Sequence, residues 1–259
     1  MCKTVAASPV VISISVVSHG QMAMVANLMQ DIQIHCQGQS IELLLTLNMD
    51  EKIGWDDSAF FYSISVIKNS APKGFGANHN QAFKVAKGDY FCIVNPDVRL
   101  DDCPFPALIE SLQDAQVGVC APLVLNSSGA VEDSARRFPT PSKICRKLFL
   151  KHFISEYSLR DRRVHVDWVG GMFMMFPRLV FDRLNGFDER YFLYYEDVDI
   201  CSRLNLMDLL VTVNPECHVI HHAQRSSHHS LKFLRWHVGS MLRYFMSPVY
   251  WQLKRLNRV

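Results

Sequence analysis

The sequence predicts an α/β fold in which helices flank a mixed, mostly parallel sheet. A β-branched run at Val10–Val17 is followed by apolar residues at helical spacing from Met22 to Ile32. Two further apolar runs of strand length follow, at Ile41–Leu47 and Phe60–Ile67. Short apolar runs separated by an amphipathic helix are typical of a βαβ unit with right-handed crossovers. We therefore expect a nucleotide-binding type of sheet with functional loops after its strands.

Composition narrows the class of protein. The chain has 259 residues, of which 49% are hydrophobic and 20% charged, and its net charge is +2. These values are typical of a soluble globular protein large enough to bury a substantial core. Its eight cysteines include no CxxC pair, which favours neither a zinc cage nor a disulfide framework and predicts a cytoplasmic location. We recognise no signal peptide, and no apolar run approaches the ~20 residues of a membrane span.

The segment Lys73–Asp97 contains the residues on which the functional prediction chiefly depends. It reads as a glycine-punctuated turn, a short helix, and a strand at Tyr90–Val94 that stops at Asn95-Pro96-Asp97. Proline cannot donate to a sheet ladder, so Asp97 follows the carboxyl end of a strand, where open α/β sheets bind ligands. A carboxylate there suits a hard divalent cation that carries a diphosphate. The alternative is an ordinary Asn-Pro-Asp turn.

The same segment resembles the nucleotide-sugar half of inverting family 2 glycosyltransferases, which have the GT-A fold. The matching residues are Gly74-Phe75-Gly76, Asn80, Gly88-Asp89-Tyr90 and Asn95-Pro96-Asp97. The resemblance implies that Asp97 binds the metal, because Asn95 replaces the first acid of a full DxD motif. It implies donor contacts from nine residues: Ser18, His19, Asn48, Lys73, Gly74, Phe75, Gly76, Asn80 and Asn95.

Several of these donor residues have plain structural alternatives. His19 could instead be a strand-end residue that bonds the backbone, and Lys73 could be a solvated side chain. Leu47-Asn48 stands where the family frequently has an Asp-Asn pair. Gly74 and Gly76 permit either a positive φ or close backbone approach to a ligand.

The acceptor half is predicted from two further segments. Trp168-Val-Gly170-Gly171 resembles the substrate-facing bend of the family, and Glu132–Pro141 resembles its SxRxFPT segment. The resemblance implies acceptor or sugar contacts from Arg136, Trp168, Gly170 and Gly171. For Arg136 the alternative is a solvated basic loop. We interpret the basic stretch Lys143–Arg163 as a mobile segment over the active site.

The acidic segment Glu196-Asp197-Val-Asp199 is the candidate for the catalytic base. Its structural alternative is a helix N-terminus, whose partial positive charge attracts carboxylates. The resemblance implies that Asp197 accepts the proton of the acceptor hydroxyl and that Glu196 contacts acceptor or sugar. We expect Asp199 to be structural, paired with Arg203.

The strand predicted at Leu209–Val213 precedes His218-Val-Ile-His221-His222. In several GT-A enzymes a histidine from this region completes the cation site, and His221 fits best here. The expected cofactor is Mn²⁺ or Mg²⁺, and an imidazole ligand favours Mn²⁺.

The C-terminal tail is basic and aromatic. No acidic residue follows Glu216, whereas seven Lys and Arg residues do, mixed with aromatic side chains. We expect two helices broken at Ser247-Pro248. Their surface either packs on the core or meets an anionic inner-leaflet membrane. No nucleic-acid motif is present.

The resemblance covers about residues 8–245. It predicts a GT-A domain at 1–225, divided into a donor half (8–125) and an acceptor half (126–225), and a helical tail at 226–259. The predicted activity is metal-dependent, inverting transfer, with dTDP-L-rhamnose as donor and a saccharide or lipid-linked saccharide of a bacterial surface polysaccharide as acceptor. The alternatives are a non-catalytic nucleotide-sugar-binding subunit and a glycoside hydrolase, although a hydrolase has no use for a nucleotide loop.

Overall fold

The computed structural model describes residues 11–144, 156–159, 163–222 and 231–259. Its strands in chain order are β1 (Ile12–Ser18), β2 (Ile41–Leu47), β3 (Ser63–Lys68), β4 (Tyr90–Val94), β5 (Val98–Arg99), β6 (Val117–Asn126), β7 (Ala135–Arg136), β8 (Val164–Val166), β9 (Trp168–Val169), β10 (Phe173–Pro177) and β11 (Leu210–His221). Its helices are α1 (Met22–His35), α2 (Phe75–Phe83), α3 (Phe105–Leu112), α4 (Arg178–Arg183), α5 (Glu196–Leu206), α6 (Leu231–Met246) and α7 (Pro248–Arg255).

Within the described residues a nine-stranded sheet forms the centre of the fold. Its order is β3-β2-β1-β4-β10-β6-β11-β5, and β8 also pairs with β11. Strands β1, β2, β3 and β4 are parallel, whereas β10 runs antiparallel between β4 and β6. A mixed, mostly parallel sheet flanked by helices is therefore confirmed. Strands β7 and β9 form a separate two-stranded sheet.

Burial explains the sequence pattern of the first strands. All seven residues of β2 are buried, which is why its apolar run does not alternate with polar residues. Helix α1 covers one face of the sheet through Val25, Met29 and Ile32, each of which is at most 1% exposed. The helical stripe predicted between Met22 and Ile32 thus packs on the core.

Strand β5, Val98–Arg99, pairs with Ile220–His221 and has no counterpart among the predicted elements. Two predicted strands have other bounds in the structure. The strand at Leu209–Val213 was expected to end before the histidines, but β11 continues to His221 across an irregularity between Asn214 and His218. That irregularity breaks the apolar pattern without ending the strand. Strand β3 begins only at Ser63, three residues later than predicted, and a short 3-10 helix at Asp57–Ala59 precedes it.

The tail forms the two predicted helices, and Ser247 begins the second by accepting a hydrogen bond from the Tyr250 backbone N–H. Tyr244, Tyr250 and Leu253 belong to the main hydrophobic cluster, so the tail packs one face on the core. In the described part of the chain, no helix is long and apolar enough to cross a membrane. Most of Lys143–Arg163, the segment interpreted as mobile, lies outside the described residues.

Gly74 and Gly76 allow α2 to approach the acceptor half closely. A Cβ on Gly74 would lie 2.7 Å from the carbonyl oxygen of Phe192, and one on Gly76 would lie 2.5 Å from the Cβ of Phe187. The Phe75 N–H donates to that same Phe192 oxygen over 2.9 Å. Neither glycine has a positive φ. Protein atoms therefore fill the space beside both glycines, and their contact with a donor stays a prediction.

We predict that Gly74→Ala lowers the free energy of unfolding by about 1–3 kcal/mol, because the new methyl group meets a backbone carbonyl that cannot rotate away. Gly54→Ala is the matched control, since no atom lies within 4 Å of its Cβ position. The control should change stability by less than about 0.5 kcal/mol. Urea unfolding of both variants measures the difference, and equal stabilities would contradict the proposed packing.

Candidate active site

The two predicted metal ligands meet at the carboxyl edge of the sheet. Asp97 follows β4, and His221 ends β11. Pairing of β5 with β11 places His221 Nε2 3.4 Å from Asp97 Oδ2. The His222 N–H donates to the Asp97 carbonyl oxygen over 2.9 Å, which fixes the two loops together.

Glu132 is a site residue that the sequence did not reveal. Its Oε2 lies 2.8 Å from Nδ1 of His221, so the imidazole lies between two carboxylates. Burial alone would lower the pKa of His221, but the hydrogen bond and charge of Asp97, followed by those of Glu132, raise it to about 9. Glu132 begins the segment that resembles the SxRxFPT motif but lies outside the motif itself, and it is 89 residues from His221 in the chain.

The chemistry of this edge fits a divalent cation. Asp97 Oδ1 is buried and has no hydrogen-bond partner among the described residues, so it can bind a cation without breaking a bond. A carboxylate and an imidazole are ligands that suit Mn²⁺, and a carboxylate suits Mg²⁺. Within the described ranges, no group of three or more His, Cys, Asp or Glu side chains is arranged to hold a metal ion.

Asp197, the predicted base, lies in the first turn of α5. Its Oδ1 accepts from the Val198 N–H over 2.8 Å, and its Oδ2 accepts from the Gly171 N–H over 3.2 Å. Burial raises the pKa of Asp197, and these amides, with Arg136, partly oppose that rise. The side chain keeps some solvent contact. Asp197 is thus a rigidly held carboxylate, more basic than an ordinary aspartate.

Glu196 is almost completely buried, with 5% of its surface exposed. Burial first, and then the charge of Asp197, raise its pKa well above the ordinary value. Its Oε2 has no hydrogen-bond partner among the described residues. Glu196 therefore favours the neutral acid, which leaves Asp197 as the charged member of the pair. Its contact with acceptor or sugar stays a prediction.

The acidic segment begins helix α5. Glu196, Asp197 and Asp199 all lie in the first turn of that helix, so the expected helix N-terminus is confirmed. Asp199 accepts from Arg203 Nε over 2.8 Å, which confirms the predicted structural pair. A helix N-terminus also holds a carboxylate rigidly, so this position is compatible with a catalytic role for Asp197.

The bend at residues 170–172 links the two acids. The Met172 carbonyl accepts from the Asn95 N–H over 2.9 Å, two residues before Asp97. The adjacent Gly171 N–H binds Asp197, and a Cβ on Gly171 would lie 3.0 Å from Cζ of Phe75. One bend therefore contacts the Asp97 loop, the donor-side Phe75 and the candidate base.

Arg136 and Trp168, which are predicted to contact the acceptor, pack against each other. They are opposite each other in the β7–β9 pair, and the guanidinium carbon lies 5.6 Å from the ring centroid. Arg136 Nε is 2.8 Å from Asp133 Oδ2, and Trp168 Nε1 donates to the Arg137 carbonyl. The charge of Arg136 lowers the pKa of Asp197, and contact of this stacked pair with an acceptor stays a prediction.

Most of the residues predicted to contact the donor have structural roles. Asn48 accepts from the Lys73 N–H over 2.8 Å and donates to its carbonyl over 3.0 Å, which closes the loop before α2. Asn80 makes the same double contact with the backbone of Phe187, at 2.8 and 2.9 Å. Ser18 Oγ donates to Glu51, which also accepts from the Gly20 N–H.

The remaining donor-side residues lie around that loop. His19 is exposed, with Nδ1 3.3 Å from Asn48 Nδ2, and Lys73 Nζ binds Gln81. Phe75 is half-buried against the rings of His79 and Phe187. Contacts of all these residues with a donor stay predictions.

Comparison with known proteins decides the family. A family model described as glycosyl transferase family 2 matches residues 56–182. The Rhamnosyltransferase WbbL of Escherichia coli is 29% identical over 246 residues, covering 89% of this chain and 91% of that protein. The chain belongs to glycosyltransferase family 2. This family 2 glycosyltransferase is therefore an enzyme.

Two further proteins are similar to this glycosyltransferase, one in sequence and one in fold. The N-acetylglucosaminyl-diphospho-decaprenol L-rhamnosyltransferase of Mycobacterium tuberculosis is 31% identical over 153 residues, covering 54% of this glycosyltransferase and 48% of its relative. The matched region thus spans about half the length of that protein. A crystal structure of GalNAc-T7 with UDP, GalNAc and Mn²⁺ superposes with a TM-score of 0.63 at 12% identity, covering 84% of this glycosyltransferase and 44% of GalNAc-T7. The GT-A fold is confirmed.

We predict that Glu132 sets the metal affinity of this glycosyltransferase by holding His221 with Nε2 toward Asp97. Glu132→Ala should weaken Mn²⁺ binding by about 10- to 100-fold, as loss of a carboxylate behind a histidine ligand does elsewhere. Glu132→Gln retains an acceptor oxygen and should lose less. Electron paramagnetic resonance of free Mn²⁺, with nucleoside diphosphate present, measures the affinity.

The control for this prediction is Glu110→Gln, which removes an exposed carboxylate paired with Arg163. Its Mn²⁺ affinity should equal that of the parent. Unchanged Mn²⁺ binding in Glu132→Ala would show that Glu132 does not support the site.

Proposed function

We propose that this enzyme transfers an L-rhamnosyl group from dTDP-L-rhamnose to a saccharide or lipid-linked saccharide in bacterial surface polysaccharide synthesis. Two relatives named rhamnosyltransferases support the sugar. The name of the mycobacterial relative includes a diphospho-decaprenol, which supports a lipid-linked acceptor. We propose a cytoplasmic location, because the six cysteines within the described ranges are free thiols.

The observation that carries this proposal is the shared bend at residues 170–172. It binds Asp197 through the Gly171 N–H and the Asp97 loop through the Met172 carbonyl. Inversion by direct displacement needs a base on the side of the incoming hydroxyl and charge stabilisation on the side of the leaving diphosphate. Asp197 on one side of the bend would supply the base, and a divalent cation held by Asp97 on the other side would supply the charge stabilisation.

Asp197 is the proposed general base. Each of its oxygens is oriented by one backbone N–H, and each keeps a lone pair for a further hydrogen bond. In the displacement the acceptor oxygen forms a bond to the anomeric carbon, the bond from that carbon to the diphosphate oxygen breaks, and the hydroxyl proton passes to Asp197. A positioned base contributes about 10²–10⁴ in rate. Its raised pKa makes it the better proton acceptor.

Asp97 and His221 are the proposed ligands of Mn²⁺ or Mg²⁺. Held by these two residues, a divalent cation would neutralise negative charge on the leaving diphosphate. The imidazole of His221 favours Mn²⁺ over Mg²⁺. Asp97 Oδ1, which no described residue occupies with a hydrogen bond, provides the carboxylate oxygen for that ion.

We predict that Asp197→Asn lowers the transfer rate by about 10²–10⁴ while the affinity for dTDP stays within a few-fold, because the amide cannot accept the proton but fills the same space. Asp182→Asn is the matched control, since it removes an exposed acid from α4. Product release gives the rate, and calorimetry with dTDP gives the affinity. Near-full activity of Asp197→Asn would show that another group accepts the proton.

The donor is tested by a thermal-shift and product-release screen. We expect dTDP-L-rhamnose with Mn²⁺ to raise the melting temperature more than UDP-GlcNAc or GDP-mannose does, because only the bound folded state gains stability. Chelation by EDTA should remove the difference. Equal or greater stabilisation and turnover with another nucleotide sugar would overturn the choice of donor but not the transferase class.

A further inference from the structure

Helix α6 has an inner face that holds the segment before the catalytic base. Tyr244 is completely buried and its hydroxyl lies 2.9 Å from Ser202 Oγ on α5. Ser240 Oγ donates to the Leu193 carbonyl over 2.9 Å. The ring of His237 packs against Tyr194 and Tyr195, at 5.2 and 5.6 Å between centroids. The orientation of α6 is therefore fixed relative to Asp197.

The opposite face of α6 is apolar and exposed. Its five large side chains, with their exposed fractions, are Leu231 (84%), Leu234 (58%), Val238 (39%), Leu242 (50%) and Met246 (73%). Spacings of three and four residues place them on one stripe, opposite Ser240 and Tyr244. A contiguous apolar stripe in water marks an interaction surface.

The charged residues around this stripe indicate what kind of partner it binds. Lys232, Arg235 and Arg243 are exposed on the same helix, and α7 adds Lys254 and Arg255. No acidic residue follows Glu216 in the sequence. A second copy of the chain, paired symmetrically on this face, would bring these cations together without acids from the tail to offset them.

Two tryptophans accompany the cations. The ammonium of Lys232 lies 4.8 Å from the Trp236 ring, and that of Lys254 lies 4.8 Å from the ring of Trp251, which is 47% exposed. Tryptophan and cations beside an apolar stripe are typical of helices that lie in the headgroup layer of a bilayer.

We infer that the outer face of α6 docks on an anionic lipid bilayer. The apolar stripe enters the acyl boundary, and the Lys and Arg side chains meet the lipid phosphates. Because the inner face of the same helix holds Leu193–Tyr195, docking places the segment before Asp197 about one helix diameter, ~10 Å, from the bilayer surface. This inference rests on the proposed function and gives it a partner, since a lipid-linked saccharide presents its hydroxyl there.

The test is co-sedimentation of the full chain with vesicles, without substrates. We expect binding to vesicles of phosphatidylcholine with phosphatidylglycerol, and weaker binding to phosphatidylcholine alone. The double variant Leu234→Gln, Leu242→Gln should bind about tenfold or more weakly, because two leucines that enter the bilayer are lost. The matched control is Leu179→Gln, on α4, whose leucine is 76% exposed and should not affect binding.

A second pair of variants tests the charges. Arg235→Gln with Arg243→Gln should weaken binding to the anionic vesicles by about fivefold per cation and leave binding to neutral vesicles unchanged. Lys84→Gln, on an exposed lysine outside the tail, is its control. All substituted side chains are exposed, so melting temperatures should stay near that of the parent.

The inference fails if the parent does not bind anionic vesicles, or if the leucine variants bind as tightly as the parent. It also fails if the parent is a dimer in solution that Leu234→Gln, Leu242→Gln converts to a monomer, since the stripe would then contact a second copy. If the chain transfers the sugar to a short, water-soluble acceptor but does not bind vesicles, the proposed function stands and only the docking surface is rejected.

Discussion

The bend at residues 170–172 is the constraint on which the site depends. It precedes β10, the strand that runs antiparallel between β4 and β6, and Phe173 is paired with Val94 at the end of β4. Because β10 runs opposite to β4 and β6, its first residues lie at the edge of the sheet where those strands have their carboxyl ends. A Cβ on Gly171 would lie 3.0 Å from Cζ of Phe75, so the glycine lets the bend pack tightly against that ring. The spacing between the donor loop and Asp197 follows from this contact.

A strained backbone segment sets the direction of the base. Tyr194 and Tyr195 have φ values of 69° and 67°, and two consecutive left-handed non-glycine residues cost about 1–2 kcal/mol each. Such conformations persist where the surrounding structure holds them. Ser240 and His237 on α6 supply that support, through the Leu193 carbonyl and the two tyrosine rings. The tail is therefore part of the scaffold that orients Asp197, as well as the candidate docking surface.

The sequence predicted the features that local chemistry determines. The end of β4 at Asn-Pro-Asp and the first turn of α5 follow from short patterns, and the family resemblance added Asp97 and His221 as partners. Glu132 escaped prediction because it reaches His221 only through the fold. The same reason hid the paired hydrogen bonds of Asn80 with Phe187, which join residues 107 apart. Strand β5 escaped because two residues carry no periodicity.

The site contains two clusters of acids whose charge is reduced in different ways. Asp97 and Glu132 lie on either side of His221 and raise its pKa to about 9, and a metal ion at this site would take the Nε2 lone pair in place of the proton. Glu196, by contrast, is buried beside Asp197, and burial and that neighbouring charge raise its pKa. The first arrangement suits a position where positive charge is required, on the diphosphate side. The second leaves one basic carboxylate, Asp197, for the proposed acceptor side, so burial and neighbouring charge would fit similar acidic groups for different roles.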